Sequence, residues 1–262
     1  MIALAAGAVL FPAAAQEQPA PASPLPSLGK APVQVSSECR VKSPAFEGRA
    51  PLRVVRKALR EKRPINVLAV GATGAIGVGG SALASYPVRL ESDLEGLLKG
   101  IDVQIVSRGI SGDIGGDAAE RLKLDVAEIR PDLVVWQVGT NDAMARIEQD
   151  DFAEPLRQTL RWLADNQVDV VLIDPQYVER LASDEHYTMI VKTIADVARE
   201  QKVLLVHRFD AMADLSRQVA TGSFAGDGFR LNDLGYRCMA EYAARAIVAG
   251  IIQADLESQP QN

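Results

Sequence analysis

The chain has 262 residues, of which 48% are hydrophobic and 24% are charged, and its formal net charge is −6. This length and apolar content suffice for one large domain with a buried core. The negative net charge and the lack of a long basic run argue against nucleic acid and anionic membrane surfaces as partners.

The N-terminus has the features of an export signal. Residues 2–15 are apolar and rich in alanine, and Ala13-Ala14-Ala15 resembles a cleavage site. The run is too short to cross a bilayer, so we expect a signal peptide over residues 1–15, a periplasmic or secreted protein and no stable membrane span. A disordered N-terminus is the alternative, because no Lys or Arg precedes the run. Pro, Ala and Ser dominate the next stretch, which predicts a tether over residues 16–38.

The chain contains two cysteines, Cys39 and Cys238. In an oxidising compartment they can form a disulfide, which would join the N-terminal segment to the last helix. Two unrelated buried thiols are the alternative, although the export signal favours the disulfide.

Short apolar runs alternate with longer amphipathic stretches along the rest of the chain. The runs predict strands over residues 65–70, 101–106, 133–138, 168–173 and 203–206. The amphipathic stretches predict helices over residues 86–99, 118–129, 152–166, 187–200 and 233–252. This alternation predicts a five-stranded parallel sheet with helices on both faces, which is a three-layer α/β/α sandwich. We expect one domain over residues 39–254 and a disordered tail over residues 255–262.

Four short motifs follow predicted strands, at the edge where ligand sites of parallel sheets lie. They are Gly71-Ala72-Thr73, Arg108-Gly109, Gly139-Thr140-Asn141-Asp142 and Asp227-Gly228-Phe229-Arg230. Acyl transfer needs a nucleophile, a base, a group that orients the base and donors for the developing oxyanion. Gly109 offers a backbone N–H and Asn141 a side-chain amide as such donors. We therefore expect the four motifs to form one site.

With these motifs in this order, residues 64–252 resemble the SGNH (GDSL-type) hydrolase superfamily. The Gly-x-Asn-Asp block of that family is matched in full. The family's nucleophilic serine aligns with Thr73, and its Asp-x-x-His pair aligns with Asp227 and Arg230. The resemblance implies a flavodoxin-like fold and a small-molecule or carbohydrate ester as ligand. It also implies that the oxyanion and substrate are bound by Gly109, Asn141 and Asp142. Because the sequence has no cluster of His and Cys and its carboxylates are spread over helix faces, we expect no metal, and we expect no cofactor.

Two departures from the family pattern bear on activity. Thr73 keeps a hydroxyl, and a threonine can act as nucleophile if a base serves it. Arg230 cannot be that base because its guanidinium stays protonated, so we expect an inert ion pair with Asp227. Of the two histidines, we interpret His186 as exposed and His207 as structural. The sequence thus predicts a pseudoenzyme with weak or no esterase activity that binds an ester ligand, and an active hydrolase using Thr73 is the alternative.

A second motif overlaps the first. Gly71, Gly74 and Gly77 form a G-x-x-G-x-x-G pattern after a strand, which resembles the dinucleotide loop of atypical short-chain dehydrogenases. The Tyr-x-x-x-Lys pair of those enzymes is missing, and Pro87 soon follows. An NAD(P)-binding Rossmann protein remains a further alternative.

Overall fold

A central sheet organises the protein. The structure is a computed structural model that describes residues 35–47, 50–71, 85–109, 112, 114–218 and 231–258. Its strands are β1 (Phe46–Glu47), β2 (Ile65–Val70), β3 (Val103–Arg108), β4 (Leu133–Gln137), β5 (Asp169–Ile173) and β6 (Leu204–Val206). Their order in the sheet is β1-β6-β5-β4-β2-β3. β1 is antiparallel to β6, and the other neighbours are parallel.

Helices cover both faces of this sheet. They are α1 (Arg53–Glu61), α2 (Tyr86–Leu97), α3 (Gly115–Ile129), α4 (Thr140–Met144), α5 (Gln149–Asp165), α6 (Glu185–Glu200), α7 (Arg208–Gln218) and α8 (Asp233–Glu257). None of the helices in the described ranges has the length and apolar character that a bilayer span requires.

The core divides into two layers because successive strand residues point to opposite faces. In β2, Val67 and Ala69 pack with α1, α2, α7 and α8, whereas Leu68 and Val70 pack with α3, α5 and α6. Since all four are at most 4% exposed, both faces of the sheet are buried. This arrangement confirms the three-layer α/β/α fold.

The sheet has six strands in the described residues, so the prediction of a five-stranded, all-parallel sheet was wrong. The additional strand is β1, in which Phe46 pairs with Val206 and Glu47 with Leu205 in the antiparallel direction. Two residues are too few to produce a period-2 pattern in the sequence. Only the proximity of β6 makes this segment a strand.

The structure describes the last residues of the predicted tether, residues 35–38, and they contact the folded domain. Residues Ser37–Cys39 form a short 3-10 helix, and the predicted disulfide joins Cys39 to Cys238 of α8. Ser36 N–H donates to Glu241 Oε2 at 2.7 Å, and Glu38 pairs with Arg237 at 2.6 Å. These contacts with α8 hold a segment whose local composition is typical of a linker.

The last helix extends further than expected. α8 ends at Glu257, whereas the sequence predicts residue 252 as its end and a disordered tail from residue 255. Asp255 accepts hydrogen bonds from Arg56 at 3.1 Å and from Arg60 at 3.0 Å, and Arg53 pairs with Glu257. The last turn is therefore held by cations of α1, which local helical periodicity does not reveal. The signal peptide prediction lies outside the described residues.

Candidate functional site

Residues of three of the four motifs lie at the carboxyl end of the sheet. Gly71 directly follows β2, Gly109 follows β3, and Asn141 and Asp142 belong to α4, soon after β4. Because β2 lies between β3 and β4, the ends of these three strands are neighbours. Gly71 N–H donates to the Arg108 carbonyl at 3.2 Å, which joins the first motif to the second.

The remaining site predictions lie outside the described residues. They concern Thr73, Asp227 and Arg230, and also Gly74 and Gly77 of the dinucleotide alternative. The nucleophile, the Asp227–Arg230 ion pair and the NAD(P) loop therefore stay predictions.

Two of the motif glycines are required by close packing. A Cβ on Gly71 would lie 2.7 Å from Gln137 Cβ, so the chain leaving β2 passes against a side chain at the end of β4. Gly139 has φ +95°, and a Cβ there would lie 2.6 Å from Ile194 Cδ1. A side chain at either position would displace its neighbours.

The Gly-Thr-Asn-Asp block forms a compact turn of helix. Ala143 N–H donates to the Gly139 carbonyl at 3.0 Å, and Ile147 N–H donates to the Asp142 carbonyl at 3.0 Å. Asp142 is buried, whereas Asn141 is half-buried on the first turn. The turn thus fixes the backbone of Asn141 next to the ends of β2 and β4.

A buried cation, Arg208, lies at this edge of the sheet, and the sequence did not indicate it as a site residue. Arg208, the first residue of α7, is 5% exposed. Its Nε donates to the Asp174 carbonyl at 2.9 Å, its Nη1 to Gln137 Oε1 at 3.1 Å and its Nη2 to Thr140 Oγ1 at 3.4 Å. One side chain after β6 therefore contacts the ends of β4 and β5 and the start of α4. Its position directly after a short apolar strand was the available sequence signal.

Burial controls the ionisation of the groups around Arg208. Desolvation lowers the pKa of Arg208, and it raises the pKa of Tyr86 and of Tyr187 to about 12 despite the opposing charge of Arg208. Both phenols are consequently neutral at physiological pH. Arg208 thus faces hydroxyls here rather than phenolates.

The carboxylate of Asp174 lies next to this cluster and faces the imidazole of His207. Asp174 Oδ1 accepts a hydrogen bond from Phe209 N–H at 2.8 Å, and its Oδ2 lies 3.6 Å from His207 Nδ1. His207 Nε2 is 3.1 Å from Glu47 Oε2 of β1. Burial disfavours the charged imidazole, but the two carboxylates outweigh it and raise the pKa of His207. His207 connects the edge strand to the end of β5, which is a structural set of contacts.

The interpretation of His186 as exposed was wrong. Its side chain is half-buried, and its Nε2 is buried without a hydrogen-bond partner in the described residues. His186 lies in the first turn of α6, where the polar residues around it in the sequence predicted exposure.

No group of three or more histidine, cysteine, aspartate or glutamate side chains suited to a metal ion occurs within the described ranges. Besides the carboxylates of Asp142 and Asp174, the polar groups described at this edge are amide, hydroxyl, guanidinium and backbone donors. Such groups bind carbonyl or anionic oxygen atoms.

Known proteins with similar sequences are esterases. A family model described as the non-GDSL lipase-like family matches residues 38–253. An arylesterase from Vibrio mimicus is 28% identical over 142 residues, which are 50% of this chain and 68% of that protein. An acetylxylan esterase from Geobacillus stearothermophilus is 24% identical over 190 residues, which are 66% of this chain and 84% of that protein.

Solved structures with the same fold include two hydrolases. The acetylxylan esterase from Geobacillus stearothermophilus superposes with a TM-score of 0.61 and 21% identity, over 70% of this chain and 94% of that one. An alpha/beta hydrolase from the metagenome of Lake Arreo superposes with a TM-score of 0.59 and 19% identity, over 70% of this chain and 96% of that one. At these identities the superpositions establish the fold alone.

Proposed function

Because this chain belongs to the non-GDSL lipase-like family of the SGNH/GDSL-type hydrolase superfamily, we propose that it is a cell-envelope protein that binds an ester or O-acetyl ester and hydrolyses it weakly or not at all. The observation that carries this proposal is a contrast between two of the motifs. The Gly-Thr-Asn-Asp turn is built next to the end of β2, whereas Arg230 stands in the sequence where the family has its base.

The missing base limits the chemistry of any hydroxyl in this site. Loss of a general base typically lowers a rate by ~10²–10⁴-fold, and a guanidinium cannot accept the proton. The oxyanion donors do not depend on that base. Recognition of the acyl group can therefore persist after turnover is lost.

The ligand class and the location rest on separate support. Both curated relatives are named as esterases, and one of them is an acetylxylan esterase, which favours a small acyl group on an alcohol or sugar. The Cys39–Cys238 disulfide supports an exported protein, because disulfides persist in oxidising compartments. The apolar sequence over residues 2–15 supports the same location.

Restoring the family residues tests the proposal. The double change Thr73→Ser with Arg230→His should give measurable hydrolysis of a short-chain aryl acetate, whereas the unchanged protein should give little or none. Adding Asn141→Ala to the double variant should lower the restored rate by ~10²–10³-fold, because it removes an oxyanion donor. A folded double variant without hydrolysis would show that these residues do not share a site.

The second candidate is a hydrolase that uses Thr73 as its nucleophile, which the retained hydroxyl favours. Thr73→Ala separates the two possibilities. If the unchanged protein hydrolyses the aryl acetate and Thr73→Ala abolishes turnover, this candidate replaces the first.

A further inference from the structure

The guanidinium of Arg208 is buried among neutral acceptors. Besides its three hydrogen bonds to oxygen atoms of Asp174, Gln137 and Thr140, its Nη1 lies 3.8 Å from Met239 Sδ. The oxygen that it contacts on Asp174 is the backbone carbonyl. Within the described residues, no carboxylate oxygen is at ion-pairing distance from Arg208. A buried cation of this kind is costly unless another anion compensates it.

The carboxylate of Asp174 attracts Arg208 through space, but it also has other partners. The carboxylate of Asp174 accepts the Phe209 N–H and faces His207, whose pKa is raised. The neighbouring phenols stay neutral because burial raises their pKa values. The positive charge of Arg208 is thus only partly compensated by the side chains around it.

Two further polar groups at this edge lack a hydrogen bond of normal geometry. The Nε2 atom of Gln137 and the hydroxyl of Tyr86 are buried and make no such bond among the described residues, although the Gln137 side chain is close enough to oppose the rise in the pKa of Tyr86. Gln137 is the residue whose side chain packs on Gly71, and its other amide atom, Oε1, is held by Arg208. Arg208 therefore orients an amide whose N–H groups make no hydrogen bond of normal geometry among the described residues and lie beside Gly71 of the first motif.

We propose that Arg208 is a positioning residue that makes the carboxyl end of the sheet select an anionic group, a carboxylate or oxyanion, over a neutral one. It acts through Gln137 and Thr140, which it holds by hydrogen bonds, and through its own charge. The inference rests on the proposed function, because it takes the ligand to bind at this edge. It specifies the ligand as a carboxylate, such as the one released when an ester is hydrolysed, or as an acyl group that develops negative charge.

Acetate and acetamide are matched probes of this preference, because they have nearly the same shape and differ in charge. At neutral pH and constant ionic strength, we expect acetate to bind at least about tenfold more tightly than acetamide, because the charge of the buried Arg208 is poorly screened by solvent. Ligand-observed NMR titration measures both dissociation constants on the full chain.

The deciding variant is Gln137→Glu. It places a carboxylate of almost the same shape next to Arg208 Nη1, which now lies 3.1 Å from Gln137 Oε1. The new ion pair should compensate the charge of the guanidinium, so that acetate and acetamide bind about equally well. It should not lower the melting temperature. Gln149→Glu is the matched control, because it makes the same change in charge at an exposed residue in the first turn of α5 and should leave the preference unchanged.

A second pair of variants separates charge from packing. Arg208→Lys keeps the cation and should retain a preference for acetate, whereas Arg208→Met should lose it. The comparison of Gln137→Glu with its control Gln149→Glu tests the inference even if Arg208→Met does not fold. Retention of the full preference in folded Gln137→Glu, an equal effect of Gln149→Glu, or no binding of acetate by the unchanged protein would each overturn the inference. The proposed function is judged separately, by ester hydrolysis in the Thr73→Ser, Arg230→His variant.

Discussion

The two ends of the sheet bury charged groups in opposite ways. At the amino end, Asp132 accepts hydrogen bonds from Arg63 at 2.8 and 2.7 Å and from Asn66 N–H at 3.0 Å. At the carboxyl end, Arg208 has neutral acceptors, and the Gln137 amide and the Tyr86 hydroxyl make no hydrogen bond of normal geometry among the described residues. The charged groups at the amino end are thus paired with one another, whereas the described part of the carboxyl end holds polar groups that are not.

A second carboxylate at the amino end also serves the fold. Asp169, the first residue of β5, accepts hydrogen bonds from Val54 N–H at 2.8 Å and Val55 N–H at 2.9 Å. These groups lie at the start of α1, whose own N-cap residue Leu52 provides no side-chain hydrogen bond. A carboxylate from another part of the chain therefore caps the helix. Polar groups at this end contribute to stability, and their removal should affect folding before ligand binding.

The largest effect is expected for Asp132→Ala. The change removes two charge-assisted hydrogen bonds from Arg63 and leaves Asn66 N–H unpaired, which should lower the free energy of unfolding by about 2–4 kcal/mol. Chemical denaturation measures this loss. Acetate binding by the folded fraction should stay unchanged, because Asp132 lies at the opposite end of the sheet. A loss of binding without a loss of stability would contradict the division between the two ends.

A smaller loss is expected for Gly139→Ala at the carboxyl end. The positive φ and the approach of the new Cβ to Ile194 should destabilise the fold by about 1–3 kcal/mol. The same strain should move α4, so ligand binding should weaken as well, as titration of the folded variant would measure. Gly96→Ala is the matched control, because a Cβ at this glycine of α2 would meet nothing within 4 Å. Equal losses in the two variants would argue against a tightly packed turn at residue 139.

Asp169→Asn should change how stability depends on pH. Burial raises the pKa of Asp169 to about 6 from the ordinary 3.8, so the folded state binds this proton more tightly than the unfolded state does. The contribution of this residue to stability therefore falls as the pH rises from 4 to 6. Asp169→Asn should remove that part of the slope, which denaturation at a series of pH values measures. Identical slopes in the unchanged protein and in Asp169→Asn would refute the assignment.

The smallest change is expected for Tyr86→Phe. Because the hydroxyl is buried and makes no hydrogen bond of normal geometry within the described ranges, its removal should leave the melting temperature unchanged or raise it slightly. Tyr242→Phe is the matched comparison, since that hydroxyl donates to the Cys39 carbonyl at 2.6 Å and its loss should cost about 1 kcal/mol. A larger loss for Tyr86→Phe than for Tyr242→Phe would mean that the Tyr86 hydroxyl is paired in solution.

The sequence determined the layered architecture and part of the site. The strand over residues 65–70 was predicted with the bounds that the structure has, because six mostly apolar residues ending in glycine are a local signal. The position of Gly71, Gly109 and Asn141 at one edge followed from the same signal, since parallel strands carry their carboxyl ends to a common side. The identities of Thr73 and Arg230, on which the proposed loss of turnover depends, are also read from the sequence alone.

The tertiary structure decided features that depend on residues far apart in the chain. β1 is a strand because β6 lies beside it, the last turn of α8 is held by Arg56 and Arg60, and α1 begins where Asp169 caps it. Arg208 became part of the site only when folding brought Gln137, Thr140 and Asp174 around it. Local periodicity records which face of an element is apolar, but it does not record which distant polar group will reach a given N–H or guanidinium. That choice depends on packing and charge in three dimensions, and this is where the structure added to the sequence.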